Sequence, residues 1–172
     1  MSVTIANRQR AQKINLRLLK KIAKALLAEL EIEKAEIGIC LVGALEMTRL
    51  NETFLKHKGS TDVITFDYRT EGRAGSPLPA ARSGTLRRAR PTLHGEIFVC
   101  VDAAVLQARK FSTTWQSEVV RYIVHGILHL LGFDDSRVDA RRKMKREENR
   151  RLGKLSRRFT LAQLSRPAKI ST

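Results

Sequence analysis

The chain has 172 residues with 33 Lys+Arg against 17 Asp+Glu, a formal charge of +16, and it is long enough to build one real core without disulfide staples. Cys40 and Cys100 lie inside apolar runs with no close Cys or His neighbours, which excludes a thiolate metal site or redox pair and predicts buried thiols in a reducing compartment. No apolar stretch approaches the roughly 20 residues of a membrane span, and no contiguous apolar leader is present, so a soluble cytoplasmic protein without a membrane partner is expected.

Residues 3–5 are predicted to open the chain as a short strand. Asn15 is placed to cap a helix whose apolar stripe runs Leu19, Ile22, Ala23, Leu26, Leu27 and Leu30, with Lys20, Lys21 and Lys24 on its solvated side. Ile37, Ile39 and Leu41 alternate with smaller residues as a strand does, closed by Gly43. A second helix is predicted over 44–55, with Leu50 and Phe54 on one face. The β-branched and aromatic content of residues 61–66 predicts another strand. Between 69 and 91, Gly72, Gly75, Pro77, Pro79 and Gly84 stand among small and basic residues, and almost nothing there can pack. A strand over 96–101 and a short helix over 102–110 follow. Ser112, Thr113 and Thr114 offer caps for a helix reaching Leu131 and ended by Gly132. A last, strongly charged helix is predicted over 141–151.

Few strands mixed with irregularly spaced helices predict an α+β fold, a single domain over 1–152 whose small mixed β-sheet is packed by about five helices. A flexible basic insertion at 69–94 and a basic C-terminal tail over 153–172, frayed or ordered only by a partner, complete the expected organisation.

The charge is uneven. Residues 69–94 hold six basic residues and one acid, and residues 137–172 hold thirteen and three, leaving a near-neutral body. Clustered Lys and Arg favour a polyanion, nucleic acid or anionic lipid, through counterion release.

The helix around residues 117–132 is apolar over most of its circumference, with Val119, Val120, Ile123, Val124, Ile127, Leu128, Leu130 and Leu131, and is therefore expected to be buried. Glu118, His125 and His129 fall within about 40° of one another on the remaining side. Asp134 and Asp135 follow the terminating glycine, where the chain can turn back toward that stripe. Two imidazoles at i, i+4 and a carboxylate suit a divalent transition metal, so His125, His129 and Asp135 are the candidate ligands, at the end of a buried helix. Three protein ligands leave a position open, as in catalytic zinc sites. Fe(II) for oxygen chemistry is compatible with the same ligand types. A zinc peptidase needs its general base directly after the first histidine, and Gly126 stands there without a side chain.

His125-Gly126-Ile127-Leu128-His129-Leu130-Leu131-Gly132-Phe133-Asp134-Asp135 resembles the signature HGxLHLxGYDH of the YbeY-type rRNA maturation factors, bacterial metal-dependent endoribonucleases. Leu50-Asn51, residues 61–66, Gly95-Glu96-Ile97, and Met144 with Glu147 also match positions of that family, so the resemblance runs from about residue 50 to 148. It implies single-strand-specific cleavage of RNA in rRNA maturation, at the 16S rRNA 3′ end, with a role in ribosome quality control and the small ribosomal subunit as partner. One Zn2+ per chain is implied, although Asp135 stands where the family commonly has histidine and shifts preference toward harder metals. Leu55 stands where many members carry arginine, which would leave the RNA phosphate to Lys56 or Lys58. Asp134, adjacent to a ligand, is a candidate to orient a histidine or take a proton, and Glu96 and Glu118 are further candidates; His57 and His94 flank the predicted strands. Two other readings compete: an rRNA-binding assembly factor with a structural metal, and a metalloenzyme of small molecules, which has no need of the charge.

Overall fold

The alternation of Ile37, Ile39 and Leu41 with Gly38 and Cys40 builds β2 (Lys34–Val42), an inner strand of the sheet. In the computed structural model, which describes residues 1–69 and 92–165, β1 (Ser2–Asn7) pairs parallel with one side of β2 and β4 (Thr92–Cys100) parallel with the other. β3 (Val63–Asp67) lies antiparallel outside β4. The sheet is thus four-stranded and mixed, in the order β1-β2-β4-β3.

Because side chains alternate across a strand, the sheet has two different faces. Val3, Ile37, Ile39, Leu41, Leu93, Ile97 and Val99 join the main core, which takes in α1 (Leu16–Glu29) and α4 (Trp115–Leu130). Cys40, Val42, Ile64, Phe98 and Cys100 point the other way and form a smaller core with Met47 of α2 (Ala44–Leu50). Both thiols are buried and free, as expected. α3 (Val101–Phe111) leads from the sheet to α4, and α5 (Val138–Arg158) packs outside α4. Among the described residues five helices lie on this small mixed sheet, the anticipated α+β single domain. The predicted caps are in place: Asn15 Oδ1 accepts from Leu18 N at 3.1 Å, and Thr114 Oγ1 from Ser117 N at 3.2 Å. Among the described residues no helix is long and apolar enough to cross a membrane.

Three stretches differ from expectation. The helix over 44–55 stops being α-helical at Leu50 and widens into a single π-helical turn over Asn51–Leu55, after which Lys56 adopts a left-handed conformation with φ of 55°. Buried Asn51 donates from Nδ2 to the Gly59 carbonyl at 2.8 Å and so pins the loop that follows.

Both ends of the predicted basic insertion are structured. Arg69 is held by Asp67, and β4 already begins at Thr92, because Leu93 is buried and pairs with Ala35 of β2. Pairing with a distant strand is not visible in local composition. The rest of that expectation falls on residues 70–91, outside the described residues.

The last helix runs well past its predicted end at 151, and Gly153 does not interrupt it. Met144, Glu148, Leu152 and Leu155 form its buried stripe. A 3-10 turn at Leu161–Leu164 then buries Leu164, whose carbonyl accepts from Asn15 N at 2.8 Å. A frayed tail from residue 153 is therefore corrected for 153–165: four scattered apolar residues in a basic segment are enough to dock it once α1 and α4 supply the other wall. Residues 166–172 lie outside the described residues.

Candidate metal centre

The centre is built on the C-terminal half of α4, which is almost wholly buried among β3, β4, α1, α3 and α5. Its approach to the sheet requires Gly126: a Cβ there would lie 2.6 Å from Ile97 Cγ2 and 3.2 Å from Thr65 Cγ2. The position that excluded a peptidase base is thus occupied by the contact that seats the helix.

At the helix end Gly132 takes φ of +88°, a conformation that side chains disfavour. Its N–H bonds the His129 carbonyl at 2.8 Å, and Phe133 N bonds the Leu128 carbonyl at 3.0 Å. This αL turn swings the chain back, bringing the Phe133 carbonyl to 3.1 Å from His129 Nδ1 and Asp135 over the histidine face.

His125 and His129 pack edge to face with their Nε2 atoms 2.9 Å apart, and Asp135 Oδ2 lies 3.9 Å and 3.7 Å from them. Tetrahedral zinc with ligands at about 2.0–2.2 Å separates its donor atoms by about 3.3 Å, so the three distances bracket the required triangle. The tautomers favour the same reading. His129 Nδ1 faces a carbonyl, and His125 Nδ1 faces Glu148 Oε1 at 3.4 Å, so a hydrogen on either Nδ1 meets an acceptor, and in that tautomer both Nε2 lone pairs converge on one point. Two lone pairs at that separation repel unless a cation sits between them. These residues could therefore hold a metal ion.

Electrostatics keeps His129 ready as a ligand. Burial, with the neighbouring His125, pushes the His129 pKa below its ordinary value, which favours the neutral form that binds metals. For Glu148, burial acts to raise the pKa, but His125 and Lys145 outweigh it and hold the carboxyl below its usual range. Glu148 is thus an ionised, 7 % exposed carboxylate behind a ligand. Asp135 is 44 % exposed, which leaves the third corner of the site open to solvent.

The structure brings His125, His129 and Asp135 together and separates the other candidates from them. Glu96 projects from the sheet face opposite Ile97, and hence opposite α4, where its Oε2 accepts from Tyr68 Oη at 2.9 Å. Asp134 spends both oxygens on Ser136, at 2.9 Å from its N–H and 2.6 Å from its hydroxyl; these bonds lower its pKa. Glu118 is buried at the far end of α4 with Thr113 and Arg121. His94 lies on the Glu96 face beside Tyr68 and Glu36, and His57, Lys56 and Lys58 are exposed on the Asn51-pinned loop. The orienting groups that sequence reasoning missed are the Phe133 carbonyl and Glu148. Glu147, the residue matched by resemblance, instead bonds Arg151 at 2.5 Å. The available signal was spacing: Glu148 lies four residues from both Met144 and Leu152 on the buried stripe. Arg69 was also missed. Its guanidinium bonds Asp67 and the Leu130 carbonyl, bracing the helix end next to His129.

The same chain matches known proteins along most of its length. The family model described as Endoribonuclease YbeY matches residues 4–156, well beyond the 50–148 of the motif resemblance. An Endoribonuclease YbeY of Syntrophotalea carbinolica is 32 % identical over 148 residues, covering 84 % of this chain and 90 % of the relative. That of Acidothermus cellulolyticus is 36 % identical over 150 residues, covering 84 % and 85 %. In fold, the solution structure of a Thermotoga maritima protein superposes with a TM-score of 0.62 at 23 % identity, over 99 % of this chain and 100 % of that one. With the motif, the whole-length match and the fold in agreement, the chain belongs to the YbeY endoribonuclease family.

Proposed function

We propose that this protein is a single-strand-specific, metal-dependent endoribonuclease of rRNA maturation, acting at the 16S rRNA 3′ end and in ribosome quality control in the cytoplasm, with the small ribosomal subunit as partner. The observation that carries the reading is the convergence of His125 Nε2, His129 Nε2 and Asp135 Oδ2 at the end of the helix that bears the family motif. His125, His129 and Asp135 would hold one Zn2+ per chain, which would supply Lewis-acid polarisation of a phosphoryl oxygen.

The chain's own residues prepare that step. The Phe133 carbonyl and Glu148 fix both imidazoles in the ligating tautomer, Gly126 seats them against the sheet, and Arg141 Nε holds the Asp135 carbonyl at 3.0 Å. Lys56 and Lys58 are assigned to substrate phosphates. The pinned, left-handed loop turns both out to solvent. An assembly factor with a purely structural metal is disfavoured, because a closed structural site takes four protein ligands and only three converge here among the described residues.

The test is metal analysis together with cleavage of single-stranded and duplex RNA by the native chain and by His129→Ala. The native protein should contain about one transition metal per chain and cut the single strand; His129→Ala should lose both properties. Undiminished cleavage by the variant would remove the reading, and normal ribosome association with unchanged rRNA processing in it would favour the assembly factor.

A further inference from the structure

Among the described residues α5 leaves positive charge without an ion pair in two places, Arg157 and Arg158 in its last turn and a group in its first turns beside the candidate metal centre. Farther along the helix, Arg150 pairs with Glu147, Arg151 with Glu147 and Glu29, and Lys154 with Glu29. In the first turns, Arg141 is committed to the Asp135 carbonyl and Lys143 lies 5.8 Å from the Phe133 ring. Arg142 and Arg146 form no ion pair among the described residues. Together with Lys145, Asp139 and Asn149 they line an open trough of about 490 Å3.

Two contacts tie this trough to α4. Arg121 Nη1 donates to Asn149 Oδ1 at 2.7 Å, one helical turn before His125. Lys145 Nζ lies 3.6 Å from Glu148 Oε2, and the other oxygen of that carboxylate is 3.4 Å from His125 Nδ1. One side chain therefore separates the trough from a metal ligand.

We propose that the trough of Arg142, Lys145 and Arg146 is a phosphate subsite that holds the backbone of single-stranded RNA next to the cleaved bond. The proposal rests on the endoribonuclease reading and gives it a place and a direction, along the α4–α5 seam. Two guanidinium forks outnumbering one carboxylate suit phosphodiester oxygens. Arg142 and Arg146 are one turn apart, about 6 Å between Cβ atoms, which matches successive phosphates of an extended strand. Contacts to phosphate alone carry no base preference, so the subsite positions RNA without selecting its sequence.

The test measures binding of a fluorescein-labelled, unstructured polyuridine oligonucleotide to the full, metal-loaded chain across a salt series. It compares the native protein with Arg142→Gln/Arg146→Gln and with Lys20→Gln/Lys24→Gln, which removes the same charge from the exposed stripe of α1. If each arginine neutralises one phosphate, the slope of log K against log salt should fall in magnitude by about 1.4 in the trough variant and by clearly less in the α1 variant. Metal content and urea midpoint should stay native in both. Equal slope changes in the two variants would reduce the trough to general charge and overturn the proposal. An unchanged slope in a trough variant that still cuts RNA would overturn it too, leaving the surface to a different acidic partner. A native chain that neither binds nor cuts RNA would instead overturn the functional reading beneath it.

Discussion

Each imidazole of the metal centre is steadied from behind by a different kind of acceptor, a backbone carbonyl for His129 and an ionised carboxylate for His125. The carbonyl comes with the αL turn at Gly132 and survives any side-chain change, whereas Glu148 can be altered alone. Glu148→Gln keeps an oxygen facing Nδ1 but removes its charge, so metal affinity should fall about 10- to 100-fold with little change in unfolding midpoint. A chelator competition on folded protein measures this, and native affinity in the variant would show that the carboxylate only fills space. Glu147 was named only as a match to the family pattern; which glutamate of so charged a helix faces in is set by the phase of its few buried residues, and here that phase selects Glu148.

At the scale of elements, α4 decides the candidate site because it is both core and carrier of the two histidines that could hold a metal. Gly126 is where these roles meet. Gly126→Ala would raise helix propensity by about 1 kcal/mol, yet its Cβ would overlap Ile97, a fully buried, β-branched side chain with little freedom to retreat. Overpacking of this kind costs about 1–3 kcal/mol. The clash should therefore win, with a lowered urea midpoint and reduced metal occupancy as α4 lifts from β3 and β4. A midpoint at or above native would mean that the helix yields more easily than its packing indicates. The π-helical turn at Asn51–Leu55 belongs to the same scale. It places Asn51 inward and Lys56 and Lys58 outward, a division that the helix predicted over 44–55 did not contain.

For the whole molecule, the +16 charge describes a neutral body with basic attachments only until the fold is known. Part of the attachments is body: α5 carries core residues beneath its charged surface, and the segment after it returns to α1. Ending the chain at Leu152 would remove Leu155 and Leu164, each buried to within 1 %. At about 1.5–3 kcal/mol per fully buried leucine, the loss is several kcal/mol out of a typical total of about 5–15. The truncated protein should unfold at distinctly lower urea and bind metal less completely. A native midpoint would return residues 153–165 to the status of a tail.

Much of this protein can be read locally. The helix caps at Asn15 and Thr114, the buried α4 with its histidine stripe, the inner strand β2 and the His125, His129 and Asp135 group that could hold a metal follow from periodicity, cap chemistry and a spacing of four residues, all of which act over a few positions of the chain. What only the tertiary structure decided involves distant partners. Pairing with β2 draws Thr92–His94 out of the insertion, and sheet alternation places Glu96 on the wrong face for the metal. The phase of α5 selects Glu148, and docking against α1 orders the segment after Gly153. Local composition is blind to these because their free energy comes from surfaces that meet only when the chain is folded.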